Sequence, residues 1–211
     1  MALDTYDNLK TAIANWIIRD DLTSQMDDFI DLAEAMFRFE PRPPDDADIG
    51  GVRVAITEQT GTLSTSAATL SKPSDWLAAY RFDLTGENGG RVKYVGPDAM
   101  PLHFLEGSGL PKYWTVTNEI EFNVIPDSAY AYSVKYWSNP TALSASNTSN
   151  TILTTYPNVY LSACLHHAFQ YLQDDQNANL WLTRYKAYAW SATRSFKAQN
   201  LTTGSVASKA A

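Results

Sequence analysis

Apolar residues recur at steps of three and four through the first 39 positions, which predicts two amphipathic helices. The first is expected over residues 5–19, capped by Asp4 or Thr5, and the second over residues 23–39. Asp20 and Asp21 interrupt the pattern, so the short connection predicts an αα-hairpin. The expected inward stripes are Tyr6, Leu9, Ile13, Trp16 and Ile17, then Met26, Phe29, Ile30, Ala33, Met36 and Phe37.

The same periodicity returns near the end of the chain and predicts two longer helices, over residues 157–173 and 177–199. Pro157 suits the first position of a helix, because its missing N–H has no partner there. The small polar residues 141–155 predict a flexible or extended return to these helices. The expected inward residues are Val159, Tyr160, Ala163, Cys164, His167, Ala168, Tyr171 and Leu172, then Leu180, Trp181, Tyr185, Tyr188, Ala189, Ala192 and Phe196.

Between the helical ends, apolar and polar residues alternate in short runs that predict roughly six or seven antiparallel strands, enough for a small sandwich or barrel. A proline-rich linker, EPRPPDDADIGG over residues 40–51, precedes them. Residues 97–105 predict a short helix. The expected strands cover residues 52–59, 62–70, 76–84, 91–95, 113–116, 119–124 and 130–137.

These elements predict an α+β fold. Both chain ends form a helical bundle of about four main helices, with a central antiparallel β-rich insertion. The expected division is residues 1–44 for the N-terminal hairpin, 45–150 for the insertion and 151–200 for the C-terminal helices. Residues 201–211 have little to bury and are expected to be a mobile tail.

Charge is spread unevenly along the 211 residues, whose formal net charge is −7. Residues 1–49 hold 12 acidic and 4 basic side chains, whereas residues 177–211 hold no acidic and 5 basic ones. This asymmetry is unlike the broadly basic footprint of a nucleic-acid binder. It favours a subunit whose ends meet different surfaces, or meet each other in a head-to-tail ring; solvated helix faces without a partner are the alternative.

Catalytic and metal motifs are missing from the sequence. Cys164 is the single cysteine, which excludes a disulfide framework and a cysteine zinc cluster and predicts a buried thiol. His166 and His167 point about 100° apart on a helix, so we expect one in the core and the other exposed. The aspartates of residues 45–48 lack the glycine and glutamate of a calcium loop. We therefore predict no catalytic residue, no metal site, no cofactor and no enzymatic activity.

Targeting signals are also missing. The N-terminus MALDTYDNLK has neither a basic region nor an apolar region of a signal peptide. No run of 18 apolar residues predicts a membrane span. The protein is expected to be made and kept in a cytoplasm-like compartment until it acts.

Five segments in order resemble the head-to-tail adaptor (connector) proteins of tailed bacteriophages. The opening TYDNLKTAIANWIIRDDLTSQMDDFIDLAEAMF contains an RDDLT element followed by a helix around FIDLAEA. The other four are KPSDW, GLPKYWTVTNEIEFNVIP, YSVKYWSNPTALS and TTYPNVYLSACLHHAFQYLQDD. The resemblance covers nearly the whole chain, and the order and spacing of the segments make it specific. Residues 40–51 depart from it, because shorter members turn more tightly there.

The resemblance implies a virion structural protein made in the host cytoplasm and placed in the phage neck. Similar proteins form a ring of twelve copies under the portal, extend the DNA channel without sequence-specific binding, and carry the nozzle or tail. It implies that the last helix and residues 201–211 meet the portal, and that the β insertion meets the neighbouring subunit and the next tail protein. The candidate contacts toward the portal or the neighbouring subunit are Arg184, Lys186, Arg194, Lys197, Leu201 and Val206.

Three other functions remain open from the sequence. A nozzle or tail-tube protein uses similar β insertions. A carbohydrate-binding module would need an exposed aromatic row, for which Trp76, Tyr113, Trp114 and Trp137 are the candidates. A cell-wall hydrolase would need two facing carboxylates.

Overall fold

Helices form both ends of the chain in the structure, a computed structural model that describes residues 3–86 and 89–200. Thr5 caps the first helix by accepting a hydrogen bond from the Asn8 backbone N–H. Asn150 caps the third in the same way, through the N–H of Leu153. The α-helices are α1 (Tyr6–Ile17), α2 (Met26–Phe37), α3 (Thr151–Thr155), α4 (Pro157–Tyr171) and α5 (Asp175–Asn200). Two 3₁₀ helices span Thr23–Gln25 and Pro97–His103.

The middle of the chain forms a seven-stranded mixed sheet that curls into a half-barrel, and a separate two-stranded pair. The order in the large sheet is β1-β9-β3-β4-β6-β7-β2, and β5 pairs with β8. The strands are β1 (Ile56–Thr62), β2 (Thr69–Leu70), β3 (Trp76–Thr85), β4 (Gly90–Tyr94), β5 (Ser108–Gly109), β6 (Tyr113–Val116), β7 (Ile120–Phe122), β8 (Ile125–Pro126) and β9 (Ala131–Ser138).

The described residues up to Val54 and from Pro140 form one compact helical unit. Helix α4 lies at its centre and contacts α1, α2, α3 and α5. Its position explains why α4 is apolar on most sides, as a fully packed helix must be. The core of this unit includes Leu9, Ile13, Ile30, Leu153, Tyr160, Leu165 and Tyr185.

Residues Ala55–Asn139 form the second compact unit, built on the curled sheet. The pairing of β3 with β9 shifts register twice, between Trp76 and Ala78 and between Ala79 and Arg81. Such irregularities bend a strand and increase its twist, which accounts for the curl. The core of this unit is Leu63, Phe82, Leu84, Val92, Trp114, Ile120, Phe122, Tyr132 and Val134.

The predicted fold class, a four-helix bundle around an antiparallel insertion, is wrong. The large sheet is mixed, because β4 and β6 run parallel with Lys93 opposite Tyr113 and Tyr94 opposite Trp114. Parallel neighbours require a long crossover, and residues 95–112, with the 3₁₀ helix, supply it. β5 and β8 also pair in parallel. Alternation of apolar residues reveals strands but not their direction, so the sequence could not separate the two arrangements.

Several predicted elements need correction. Residues 151–155, expected to be flexible or extended, form α3, because Asn150 supplies a cap. The strand expected over residues 52–59 starts only at Ile56, and Val52 and Val54 belong to the helical core. Trp16, Tyr171, Leu180 and Tyr188, expected to face inward, are exposed. Among the described residues, no helix is long and apolar enough to cross a membrane.

Candidate assembly surfaces

The outward side of α1 borders a groove of about 320 Å³ with an acidic residue near each end. Residues spaced by three and four, Asp7, Thr11 and Ala14, form one side of it, and Asp20 lies beyond the end of α1. Lys10 also lines the groove, but its ammonium lies 2.6 Å from the Asp27 carboxylate. The remaining lining residues are Asn15, Thr23 and Met26. Most of these side chains are short, so a second helix has room to approach.

The acidic residues of the N-terminal helices divide into paired and unpaired groups. Asp27 accepts hydrogen bonds from Lys10 and, at 2.6 Å, from the Tyr6 hydroxyl, which together lower the pKa of its carboxyl. Arg19 binds Asp21 at 2.6 Å. In the part of the chain that the structure describes, the others form no ion pair: Asp7, Asp20, Asp28, Asp31 and the buried Glu34. The groove therefore carries a net negative charge.

Ile18 is the C-terminal cap residue of α1, and it has a strained backbone and an exposed side chain. Its φ of 55° and ψ of 43° are left-handed, and its backbone N–H donates to the Ala14 carbonyl. A β-branched residue is an outlier there, at a cost of about 1–2 kcal/mol. Its side chain is also 88% exposed. Because both features are unfavourable, Ile18 is a candidate contact residue at the end of α1.

Arg184 lies on the outward side of α5 above an aromatic pair. Its guanidinium is 4.4 Å from the ring centroid of Trp181, a cation–π geometry. The Trp181 ring in turn meets Trp16 edge to face, with centroids 5.2 Å apart. This stacking joins the end of α1 to α5 and holds the guanidinium at the surface.

The other candidate contact residues occupy different environments. Lys186 points back onto residues 45–48, here called the acidic loop, where its ammonium donates to the Asp46 and Ala47 carbonyls. Arg194 lines a shallow groove with Trp190, Ser191, Ser195 and Ala198. Lys197 is exposed in the last turn of α5. Leu201 and Val206 lie outside the described residues. The structure thus places Arg184, Arg194 and Lys197 on the surface of α5 and turns Lys186 inward.

An apolar loop is exposed on the β unit, and sequence reasoning did not identify it. Leu102 is 84% exposed, and Phe104 and Leu105 lie exposed beside it. The sequence of residues 97–105 predicts only a short helix. Its 3₁₀ geometry, ended at His103, turns these side chains to solvent.

The aromatic residues considered for carbohydrate binding do not form an exposed row. Trp114 and Trp137 are buried. Trp76 stacks on Tyr136, and Tyr113 stacks on His103 at a centroid distance of 4.2 Å. These rings pack within the β unit.

His166, His167 and Cys164 belong to the helical unit. His166 is buried and shares a hydrogen bond of 2.9 Å with the Ala178 carbonyl. Burial, together with the neighbouring His166, lowers the pKa of His167 to about 4. Burial raises the pKa of the Cys164 thiol, as expected for a structural cysteine. The described residues contain no group of three or more His, Cys, Asp or Glu that could hold a metal ion.

Comparison with known proteins gives one family. The family model described as SU10 adaptor protein matches residues 4–206. No curated protein matches the chain. The match confirms the resemblance to phage head-to-tail adaptors and indicates a structural component of the virion, in a family that is generally non-enzymatic. Since it spans nearly the whole sequence, this chain belongs to the SU10 adaptor protein family.

Proposed function

We propose that this protein forms a head-to-tail adaptor ring in the phage neck, joining the portal to the tail or nozzle and extending the DNA channel. The family match over residues 4–206 carries the proposal. By analogy with the portal-following symmetry of similar proteins, the ring has twelve copies.

We further propose a division of labour between the chain segments. Residues 1–44 and 151–200 supply the portal-facing module, with residues 201–211 as a portal-binding segment, and residues 45–150 face the neighbouring subunit and the tail. The separate hydrophobic cores of the helical and β units support two modules with different contacts. The exposed loop with Leu102, Phe104 and Leu105 supports a protein contact on the β unit.

The charge of the chain suits a channel that lets DNA pass. The net charge is −7, and Asp28 and Asp31, the exposed aspartates of α2 without an ion pair among the described residues, add a negative surface. DNA carries about one negative charge per 1.7 Å, so a strongly basic wall would retain it. An acidic or neutral wall leaves ejection unhindered.

Partner contacts are proposed at the end of the chain. Arg184, Arg194 and Lys197 are exposed on α5, and Leu201 and Val206 follow in the proposed portal-binding segment. Lys186 contributes by positioning the acidic loop, since its ammonium already binds two carbonyl oxygens.

Light-scattering mass and negative-stain microscopy, with and without purified portal, test the proposal. We expect a ring with the symmetry of the portal, and antibody labelling of the virion neck. A stable monomer that never joins the portal would overturn it. Binding to isolated tails but not to portal would instead support a nozzle or tail-tube protein.

A further inference from the structure

We infer that the outward face of α5 in one copy docks into the α1 groove of a second copy and so forms the lateral contact of the ring. This inference rests on the proposed ring function and names the surfaces that build it. The α5 face is defined as Leu180, Arg184, Ala187, Tyr188, Ser191, Arg194, Ser195 and Ala198. The α1 groove is the groove lined by Asp7, Lys10, Thr11, Ala14, Asn15, Asp20, Thr23 and Met26.

The α5 face is an unpartnered side of a long helix. At 100° per residue its members fall within a sector of about 120°, which borders the buried stripe that includes Trp181, Tyr185 and Ala189. The exposed Leu180 and Tyr188 add apolar area to it. Small side chains lie at the centre of this face, which permits a second helix to pack closely: Ala187, Ser191 and Ala198.

Charge complementarity identifies the α1 groove of a second copy as the surface that the α5 face contacts. The α5 face has two arginines and no acid, and neither arginine forms an ion pair with a residue in the described ranges. Asp7 and Asp20 are likewise without an ion pair there. A second copy therefore satisfies charges that one copy leaves open.

The spacing of the charges also agrees. Ten residues separate Arg184 from Arg194, about 15 Å along a helix. The acids Asp7 and Asp20 bracket α1, whose 12 residues span about 18 Å. Both arginines therefore reach an acid when the two helices lie side by side.

Ile18 supplies an apolar contact at one end of the groove. Its exposed side chain follows Ala14 on the outward stripe of α1. A partner helix that covers Ile18 removes from water the apolar side-chain area that is exposed at this left-handed residue. This contact explains why the chain keeps a strained, exposed isoleucine there.

The contact is heterologous, because it joins two different faces of the same unit. Such contacts close into rings when the rotation per copy permits it. DNA is the less favoured occupant of the α5 face. Two arginines on a chain of net charge −7 are a small footprint for a phosphate backbone.

Paired charge reversals test the contact in the full-length protein. R184E/R194E makes both faces acidic, and D7K/D20K makes both faces basic, so each variant alone should need at least about tenfold more protein to assemble. An equimolar mixture should restore the ring, because each reversed face then meets a complementary one in an alternating order. Mass by light scattering, with and without portal, reads the result.

The controls match the charge changes at exposed sites of the helical unit that lie in neither surface. D28K/D31K and R38E/R42E should need the same protein concentration as the wild type for self-assembly. The docking is overturned if R184E/R194E assembles at the wild-type concentration. It is also overturned if the equimolar mixture of R184E/R194E and D7K/D20K forms no ring. Both results leave the adaptor role intact. Wild-type protein that forms no ring with portal overturns both. DNA binding that R184E/R194E abolishes without changing ring mass assigns the α5 face to DNA and also overturns the docking.

A cross-link gives a second test that needs no charge reversal. N15C/S191C places one cysteine near the centre of each surface, and the native Cys164 is buried and unreactive. A short bismaleimide should give a ladder of covalent oligomers on the assembled protein. N15C alone and S191C alone should give no ladder, because one cysteine per copy can link at most two copies, and a double-variant ladder no stronger than these controls contradicts the contact.

Discussion

The Lys186 ammonium donates to the Asp46 carbonyl oxygen at 2.8 Å, joining α5 to a loop that lies 140 residues earlier in the chain. The Tyr185 hydroxyl donates to the Gly50 carbonyl in the same loop, also at 2.8 Å. Two successive residues of α5 therefore hold residues 46–50. The proline-rich linker is consequently part of the helical unit at this end, and the backbone that carries Asp46 and Asp48 is held against α5.

Replacing Lys186 with Met should loosen this loop while preserving most of the aliphatic stem. We expect a loss of about 1 kcal/mol in the free energy of unfolding, because two carbonyl oxygens lose a charged donor but remain near water. Hydrogen exchange at residues 46–50 should accelerate. K93M, at an exposed residue of the β unit, is the control and should change neither quantity. Unchanged exchange in K186M would show that Tyr185 alone holds the loop.

Arg53 stabilises the end of α2 from inside the helical unit. Its side chain is buried, and its Nη1 donates to the Phe39 carbonyl at 2.9 Å and the Val52 carbonyl at 3.0 Å. Its backbone N–H donates to the Thr193 hydroxyl at 3.1 Å. A cation here also suits the negative end of the α2 dipole.

Truncation of this side chain, R53A, should lower the free energy of unfolding by about 3 kcal/mol, because buried carbonyls lose their donor and a cavity opens. R53K should recover part of the loss, since an ammonium cannot reach several carbonyls in the same fork. Urea unfolding followed by circular dichroism measures both. R91A, at an exposed arginine, should stay within about 0.5 kcal/mol of the wild type. An equally small effect in R53A would contradict the capping role.

Arg53 also illustrates what the sequence could not supply. The helices at both ends were predictable because their apolar period reflects the side that each buries, and α1, α2, α4 and α5 lie close to the predicted ranges. A lone arginine after a glycine pair gives no sign that it will be buried among carbonyls. Such a role depends on contacts between residues far apart in the chain, such as Arg53 and Thr193.

The candidate surfaces were predictable in charge but not in geometry. The acidic start and the basic end of the chain are enough to propose contacts between copies, and this stays a prediction. The groove beside α1 depends on how α1 meets Thr23 and Met26, which periodicity does not determine. The inward turn of Lys186 depends on where the loop packs. Parallel pairing of β4 and β6 likewise required the path of the crossover.

Glu34 is a buried carboxylate whose replacement should have a pH-dependent effect. It accepts from the Leu143 backbone N–H at 2.8 Å and the Tyr160 hydroxyl at 2.9 Å. Burial outweighs these hydrogen bonds and raises the pKa of its carboxyl. A raised carboxyl pKa contributes stability that is complete below the unfolded value of 4.5 and is lost as pH rises through the folded value.

The variant E34Q keeps the acceptor oxygen and removes the charge. Its stability relative to the wild type should therefore be most favourable at neutral pH and decline as the pH is lowered toward 4.5. Thermal and urea unfolding of both proteins at matched pH values measure the difference. E106Q, at an exposed glutamate, should show no such trend. A difference independent of pH would mean that Glu34 titrates alike in the folded and unfolded chains.

His167 should make the helical unit sensitive to mild acid in the opposite direction. Its Nε2 lies 2.9 Å from the Met36 sulfur, and burial, with His166 beside it, lowers its pKa from 6.5 to about 4. A histidine with a lowered folded pKa contributes stability that is present above 6.5 and is lost as pH falls toward 4. The wild type should therefore lose on the order of 2 kcal/mol more than H167Q between pH 7 and pH 4. Urea unfolding at half-unit pH steps measures this difference.

Asp21 and Asp27, whose pKa values are lowered by Arg19 and Lys10, remain charged through most of this window. They are common to both proteins and cancel in the comparison. Parallel pH profiles for the wild type and H167Q would show that His167 is protonated as easily in the folded chain as in the unfolded one.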